Sequence, residues 1–432
     1  LKNIFIAMLI IITTVAYGGI TEIYNERVEK STAFMAAENS LKQAVRTLDE
    51  KKSFWVPGIT AGFDQIIFGK NGLENKDPIN GHKSIRLNVK ANFVKILGAS
   101  IGLSLPYVYD LTACAGKFEN FNLTVSRPIF TEFYLEVPQA ELNVLQSKNA
   151  AEKTRWDIFN QLLQDIFSYH NALSTRELLN GRVCVTKVLY ENENDSEKKK
   201  AYRQQLTDLN KSIINNELIL NGLNLEYSAD LYSQAVQICE EMVLISESCT
   251  QTDFNKTELS SSLLKEDIAR RQKEMWFLPY LPNPVISFGI DFLDNLKWHV
   301  GVSFEYSFFE KGTGSSKSVE SSNRISQYEI AVLQTANSKE SAQRSIEKLK
   351  KDLEIYKMEL SASKANMDDS LAELAKNKLL MEKGFLTKEK YDLGSYEHLS
   401  KKLDYEKTLQ SMYLTCVKLL QEYGLSAGGG TL

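Results

Sequence analysis

From Trp298 to Ser316 the sequence reads WHVGVSFEYSFFEKGTGSS, and its first part alternates strictly. Val300, Val302, Phe304, Tyr306 and Phe308 fall on one side, and Gly301, Ser303, Glu305 and Ser307 on the other. A period of two is the pattern of a strand with one apolar and one polar face. A Gly/Ser turn follows, and then roughly 65 residues with almost no helix breaker. The same switch of period occurs earlier. Helical periodicity covers about Thr21 to Lys52, after which FWVPGITAGFDQIIFG (54–69) sets Ile59, Ala61 and Phe63 against Thr60, Gly62 and Asp64. A helical pattern from about Lys256 to Lys273 likewise runs into MWFLPYLPNPVISFGIDFLDN (275–295). There Ile286, Phe288, Ile290 and Phe292 alternate with Ser287, Gly289 and Asp291.

The two strand starts align, PGITAGF at Pro57 to Phe63 with PVISFGI at Pro284 to Ile290, at a spacing of 227 residues. Each half also leaves its strands for a long helix, after FNLTVSRPIF (121–130) and after VGVSFEYSFF (300–309). The first half carries 48 more residues between its strands than the second. This extra segment alternates too, through Ile85, Leu87, Val89, Ala91 and Phe93 and again through Ile101, Leu103, Leu105, Tyr107 and Tyr109. Its pattern fits either an additional hairpin or an elaborate external loop.

The helical stretches are of coiled-coil type. Ile346, Leu349, Leu353, Tyr356, Leu360, Met367, Leu374 and Met381 share one heptad frame, with Ser363, Ser370 and Asn377 as small or polar layers. Tyr202, Leu206, Leu209, Ile213, Leu220, Leu223 and Tyr227 form a second frame. A 3.5-residue repeat predicts helices packed along a seam, and a helix over 318–383 would be ~99 Å long at ~1.5 Å per residue. Each long helical region is broken once by a polar turn. In EKGFLTKEKYDL (382–393) Gly384 can end one helix and Thr387 cap the next, and in ENENDSEKKKAY (191–202) Asp195 or Ser196 can cap. A further polar break, SESCTQTDFNKTE (246–258), separates the halves.

The expected organisation is a signal peptide over 1–18 and two tandem helix-strand-strand-helix-helix repeats. The first, 19–255, has a helix at 20–53, a strand region at 54–130 and helices at 137–191 and 197–248. The second, 256–424, has a helix at 256–275, a strand region at 284–309 and helices at 318–383 and 389–423. A flexible tail, 425–432, follows.

The N-terminus supports a secretory address: Lys2 precedes an apolar run from Ile4 to Ala16, with small residues at Ala16, Gly18 and Gly19. That run is well short of the ~20 residues of a spanning helix. No later segment offers ~18 consecutive apolar residues. A mature chain that crosses a membrane must therefore cross it by strands. The net charge of −4 over 432 residues, without a basic stripe, argues against a nucleic-acid partner. Only 8 prolines favour long helices. The 5 cysteines and 4 histidines (His82, His170, His299, His398) show no CxxC pair, no metal-ligand spacing and no other cofactor motif. Cys239 and Cys249, ten residues apart on a helix, would stand ~15 Å apart, too far for a disulfide, so most thiols are expected free and buried.

Two short strand pairs cannot stand alone, and in a bilayer their edges must close into a barrel, for which several chains have to contribute strands. Trp55, Trp276, Tyr280, Trp298 and Phe309 lie at strand ends, where interfacial aromatics belong. Asp291, Ser303 and Glu305 fall on the polar, lumen-facing side.

This layout resembles the TolC-like outer-membrane efflux proteins. The residues that carry the likeness are AFMAAENSLKQAVRTLDEKKSFWVPGITAGF (33–63), VGVSFEYSFFEKGTG (300–314) and the Gly384 turn with Lys390 to Tyr405. The resemblance implies a mostly α fold with a small membrane β part: a homotrimer with a shared twelve-stranded transmembrane barrel in outer-membrane lipid, continued by a periplasmic coiled-coil α-barrel. It implies a passive exit duct of a tripartite efflux pump or type I secretion system, docked to a periplasmic adaptor and an inner-membrane transporter. On this likeness Lys383, Gly384, Phe385, Leu386 and Thr387 match the periplasmic tip that adaptors touch, and Asn192, Asn194, Asp195 and Ser196 form the corresponding first-half tip, without its glycine. The places that the family gives to gate aspartates hold Lys390 and Leu393, with Asp392 the nearest acid.

An enzyme is disfavoured because no nucleophile elbow or phosphate loop is present. A secreted or surface-exposed coiled-coil structural or adhesive protein would explain the heptads and the leader, but not the paired alternating segments.

Overall fold

The computed structural model describes residues 18–52, 57–69, 82–96, 99–110, 115–118, 122–128, 133–223, 227–248, 256–280, 284–291, 297–303 and 316–424. In chain order these hold α1 (Gly18–Lys30), α2 (Thr32–Lys52), β1 (Pro57–Gly69), β2 (His82–Ile96), β3 (Ala99–Asp110), β4 (Ala115–Phe118) and β5 (Asn122–Pro128). Then come α3 (Phe133–Asn192), α4 (Ser196–Gly222), α5 (Ala229–Ser248), α6 (Lys256–Glu274), β6 (Val285–Asp291), β7 (Lys297–Ser303), α7 (Ser316–Glu382) and α8 (Lys388–Glu422). The expected leader up to residue 17, the expected tail, Trp55, Glu305 and Phe309 lie outside the described residues, while Gly18, the leader's expected last residue, begins α1.

The chain divides into two units. One comprises Ser40–Ser147 and Ser260–Ala336 and contains the sheet. All its strand pairs are antiparallel, in the order β1-β2-β3-β5-β6-β7, with β4 paired to β3. β4 and β5 lie on the same side of β3, against Tyr107 to Asp110 and Ser100 to Ser104 respectively, so together they cover most of its length. The register aligns like with like. Ile59, Ala91, Leu103, Leu123, Ile290 and Trp298 form one row across six strands. The next row is Gly58, Asn92, Gly102, Thr124, Gly289 and His299. Because successive residues alternate faces, one face is largely apolar, broken by Lys83 opposite Phe68 and Arg127 opposite Ile286, and the other is mostly small or polar. A bulge in β1 preserves this. Phe63 pairs with Leu87 but Gln65 with Arg86, so Asp64 is the extra residue and Ile66 joins the face of Phe63. Gly289 serves a close approach: a Cβ there would stand 2.2 Å from the His299 ring.

In the same unit the flanking helices run antiparallel in pairs. Lys51 Nζ meets Glu136 Oε2 at 2.8 Å between α2 and α3, and the Lys273 ammonium sits 4.5 Å above the Tyr328 ring between α6 and α7.

The other unit comprises Leu1–Asn39, Lys148–Leu259 and Asn337–Leu432. Its core joins Ile20 of α1, Trp156, Leu162, Leu163 and Ile166 of α3, Ala235 and Cys239 of α5, and Met412, Val417 and Leu420 of α8. On α7 the heptad residues Leu353, Tyr356 and Leu360 pack against this core, and Ile346 joins Leu419 and Tyr423 in a second cluster. Buried polar groups tie helices together: Asn216 Nδ2 donates to the Ala172 carbonyl at 2.7 Å, and Asn171 Nδ2 to Gln410 Oε1 at 2.7 Å.

Several expectations are corrected. The helix expected over 20–53 is interrupted at Ser31, whose hydroxyl accepts from the Phe34 amide at 3.2 Å and caps α2. The helix expected over 197–248 is two helices. Leu223 closes α4, and the Ser228 hydroxyl accepts from the Leu231 amide at 3.1 Å to open α5. Between them Tyr227 leaves the heptad frame, stacks on Tyr169 at 4.9 Å and reaches His170 Nδ1 at 2.7 Å. The α3 helix begins at Phe133, before the expected Val137, and takes Pro138 into its early turns. In the first half the two outer strands do not pair with each other, because β2 and β3 lie between them. Among the described thiols, all free, Cys239 and Cys416 are buried and Cys184 is exposed. Burial pushes the Cys239 thiol far up, which keeps it protonated and unreactive.

Candidate functional site

The two helical turns are built differently. At the second, the Phe385 amide donates to the Leu380 carbonyl and the Gly384 amide to Met381, each at 2.9 Å. With Gly384 at φ +77° this is a complete Schellman stop. Nothing crowds a Cβ at Gly384, so the glycine is needed for its backbone angle alone. Gly384→Ala is therefore expected to destabilise this turn by about 1 kcal/mol, read as a lowered thermal midpoint of the purified protein. An unchanged midpoint would show that the left-handed angle carries no strain for alanine.

Thr387 opens α8, its hydroxyl accepting from the Lys390 amide at 3.4 Å. Between stop and cap, Phe385 is 79% exposed, the most exposed large apolar side chain among the described residues. Lys383 and Lys390 are exposed beside it, while Leu386 and Asp392 are half-buried.

At the first turn α3 ends at Asn192, and three residues lead to Ser196 at the start of α4. Sequence reasoning missed Glu193 here: its carboxylate accepts from the amides of both Asn194 and Asp195, at 3.1 Å each. Asp195 in turn accepts from the Glu197 amide at 2.9 Å and is the N-cap. The Lys199 ammonium lies 5.2 Å from the Tyr190 ring and joins the two helices just behind the turn. A carboxylate inside a polar turn was the available signal, since it can satisfy the amides that a glycine turn satisfies with carbonyls.

Just before the sheet, Trp276 meets the rings of both Tyr280 and Phe277 edge-to-face, each at 6.3 Å. Trp298 lies at the opposite end of the strands, 68% exposed. Val300 and Val302 on the same face are 59% and 63% exposed. Asp291 stands in register between Asn122 and Lys297, and Ser303, opposite Val285, is exposed. Among the described residues no group of His, Cys, Asp or Glu is arranged to hold a metal ion.

No family model and no curated protein matches the sequence. Solved structures do match in fold. The Campylobacter jejuni CmeC outer membrane channel superposes with a TM-score of 0.61 at 12% identity, over 94% of this chain and 85% of that one. The Vibrio cholerae outer membrane protein VceC gives 0.53 at 11% identity, over 95% and 97%. The open state of the Neisseria gonorrhoeae MtrE outer membrane channel gives 0.55 at 10% identity, over 95% and 91%. The chain thus has the TolC-like fold: mostly α with a small β part.

Proposed function

We propose that the chain is one protomer of a trimeric outer-membrane channel, the passive exit duct of a tripartite efflux pump or type I secretion system. The observation that carries this reading is the sheet. It has one largely apolar face, half-buried on β3 and β5 where side chains are described and exposed at Ile286, Trp298, Val300 and Val302, and among the described residues β1 and β7 are edges without a partner strand. An open, two-faced sheet is stable in lipid only when its edges are closed by further strands, which copies of the same chain supply by joining β7 of one to β1 of the next. No described helix is long and apolar enough to cross a membrane, so the sheet is the candidate spanning element. In this reading the polar face lines the lumen with Asp291 and Ser303. Trp276, Tyr280 and Trp298 mark the two interfaces. The turns at Gly384 and at Asp195 meet a periplasmic adaptor coupled to an inner-membrane transporter, with exposed Phe385 offered to it.

The test is conductance of the detergent-purified oligomer in a planar bilayer. Discrete channel openings are expected, and a preparation shown to be trimeric that conducts nothing overturns the reading. Alkaline extraction of membranes separates it from a peripheral coiled-coil adhesin, which would be released.

A further inference from the structure

We infer that β2 and β3 are wall strands of the barrel, so that three copies close an eighteen-stranded barrel in place of a twelve-stranded one. This rests on the channel reading above. The first support is topological. β1 does not pair with β5, and the ladder from β1 to β7 is continuous only through β2 and β3. An external loop would leave the outer two strands of the first half paired with each other and would rise beyond their ends.

The second support is the extent of pairing. β2 follows β1 along its whole length, from Gly69 opposite His82 down to Pro57 opposite Phe93. Pro57 is the end at which the chain leaves α2, so β2 reaches the same depth as the strand that starts there. β3 begins within three residues of the end of β2, which makes a tight hairpin on the helix side. The gap between β1 and β2, on the other side, is longer. Short turns toward the periplasm and longer loops outside are the habit of outer-membrane barrels.

The third support is chemical. The apolar row Phe93, Ile101, Val125, Phe288 and Val300 runs from β2 to β7 without a polar member. The polar row Thr60, Lys90, Ser104, Asn122, Asp291 and Lys297 runs through all six strands without an apolar one. A loop in water has no reason to continue a lipid-facing band in register through both added strands. Six strands per copy widen the barrel about 1.5-fold over four, since diameter grows roughly in proportion to strand number. The membrane part would then pass cargo too bulky for a twelve-stranded barrel, and the size limit would fall elsewhere in the duct.

The test places single spin-labelled cysteines in a chain whose native cysteines are replaced, reconstituted in lipid. V89C and L105C should resemble the control V300C, relaxed mainly by oxygen from the lipid. N88C and S104C should resemble the control T124C, relaxed mainly by a water-soluble nickel chelate. Nickel access at all four β2 and β3 positions, with the controls still alternating, overturns the inference and makes the segment an external loop. Controls that do not alternate overturn the channel reading instead. If the cysteine-free chain does not insert, averaged electron micrographs of the unaltered trimer decide. A barrel about 1.5 times the twelve-strand width supports the inference, a twelve-strand width overturns it, and a particle without a barrel overturns the channel.

Discussion

Ile166→Ala is expected to lower the stability of the helical unit by about 2–5 kcal/mol, the range for deleting a fully buried aliphatic side chain. Ile166 is 0% exposed, as are Leu162 and Leu163 one turn before it. They belong to a core to which α1, α3, α5 and α8 all contribute, with α7 packed against it. Such a core, shared among long helices, has little second layer to collapse into a cavity, so much of the cavity cost should persist. Ile166→Val removes one methylene and should cost only about 0.5–1.5 kcal/mol. Thermal unfolding followed by the helical circular-dichroism signal would rank the two. Equal midpoints for wild type and Ile166→Ala would show that the α3 core is not packed as described.

Val300→Arg should block stable membrane integration, whereas Thr124→Arg should be tolerated. The two positions sit on adjacent rows but opposite faces of the same sheet. Val300 is in the apolar row with Phe288 and Val125, and Thr124 in the polar row with Gly102 and Gly289. An arginine on the lipid face of a barrel costs about 2–4 kcal/mol near the midplane, while a lumen-facing charge stays hydrated. The readout is the fraction of each variant that remains in the membrane after alkaline extraction. Equal retention of both would mean that the apolar face does not meet lipid.

Much of the fold was readable because its signals are local. The change from period two to period 3.5 marks each passage from strand to helix, and Gly384 and Thr387 spell out a helical stop and start. The bulge at Asp64 was not read, because Ile66, Ile67 and Phe68 are all apolar and hide the change of parity after Phe63. Less legible were breaks inside an unbroken apolar rhythm. Ser31 caps a new helix without disturbing its surroundings. The α4–α5 break passes under a heptad frame that the spacing of Leu223 and Tyr227 continues; Asn221-Gly222 and Ser228 were its signals. The strand order was out of reach, because a strand's own residues say which face is apolar but not which neighbour it takes. For the tips, the sequence located the turns, while the Glu193 carboxylate bonds and the exposure of Phe385 depend on geometry that no local pattern encodes.

The ion pair between Lys51 and Glu136 shows that α2 and α3 meet at the same end of the sheet. That has a consequence for parity. A chain that must return to its side of departure can cross a wall only an even number of times. A single inserted strand would strand α3 on the far side, so the hairpin of β2 and β3 is the smallest addition this architecture accepts. If the three-copy reading holds, channels of this design can widen only in jumps of six strands, and no intermediate bore lies between one width and the next.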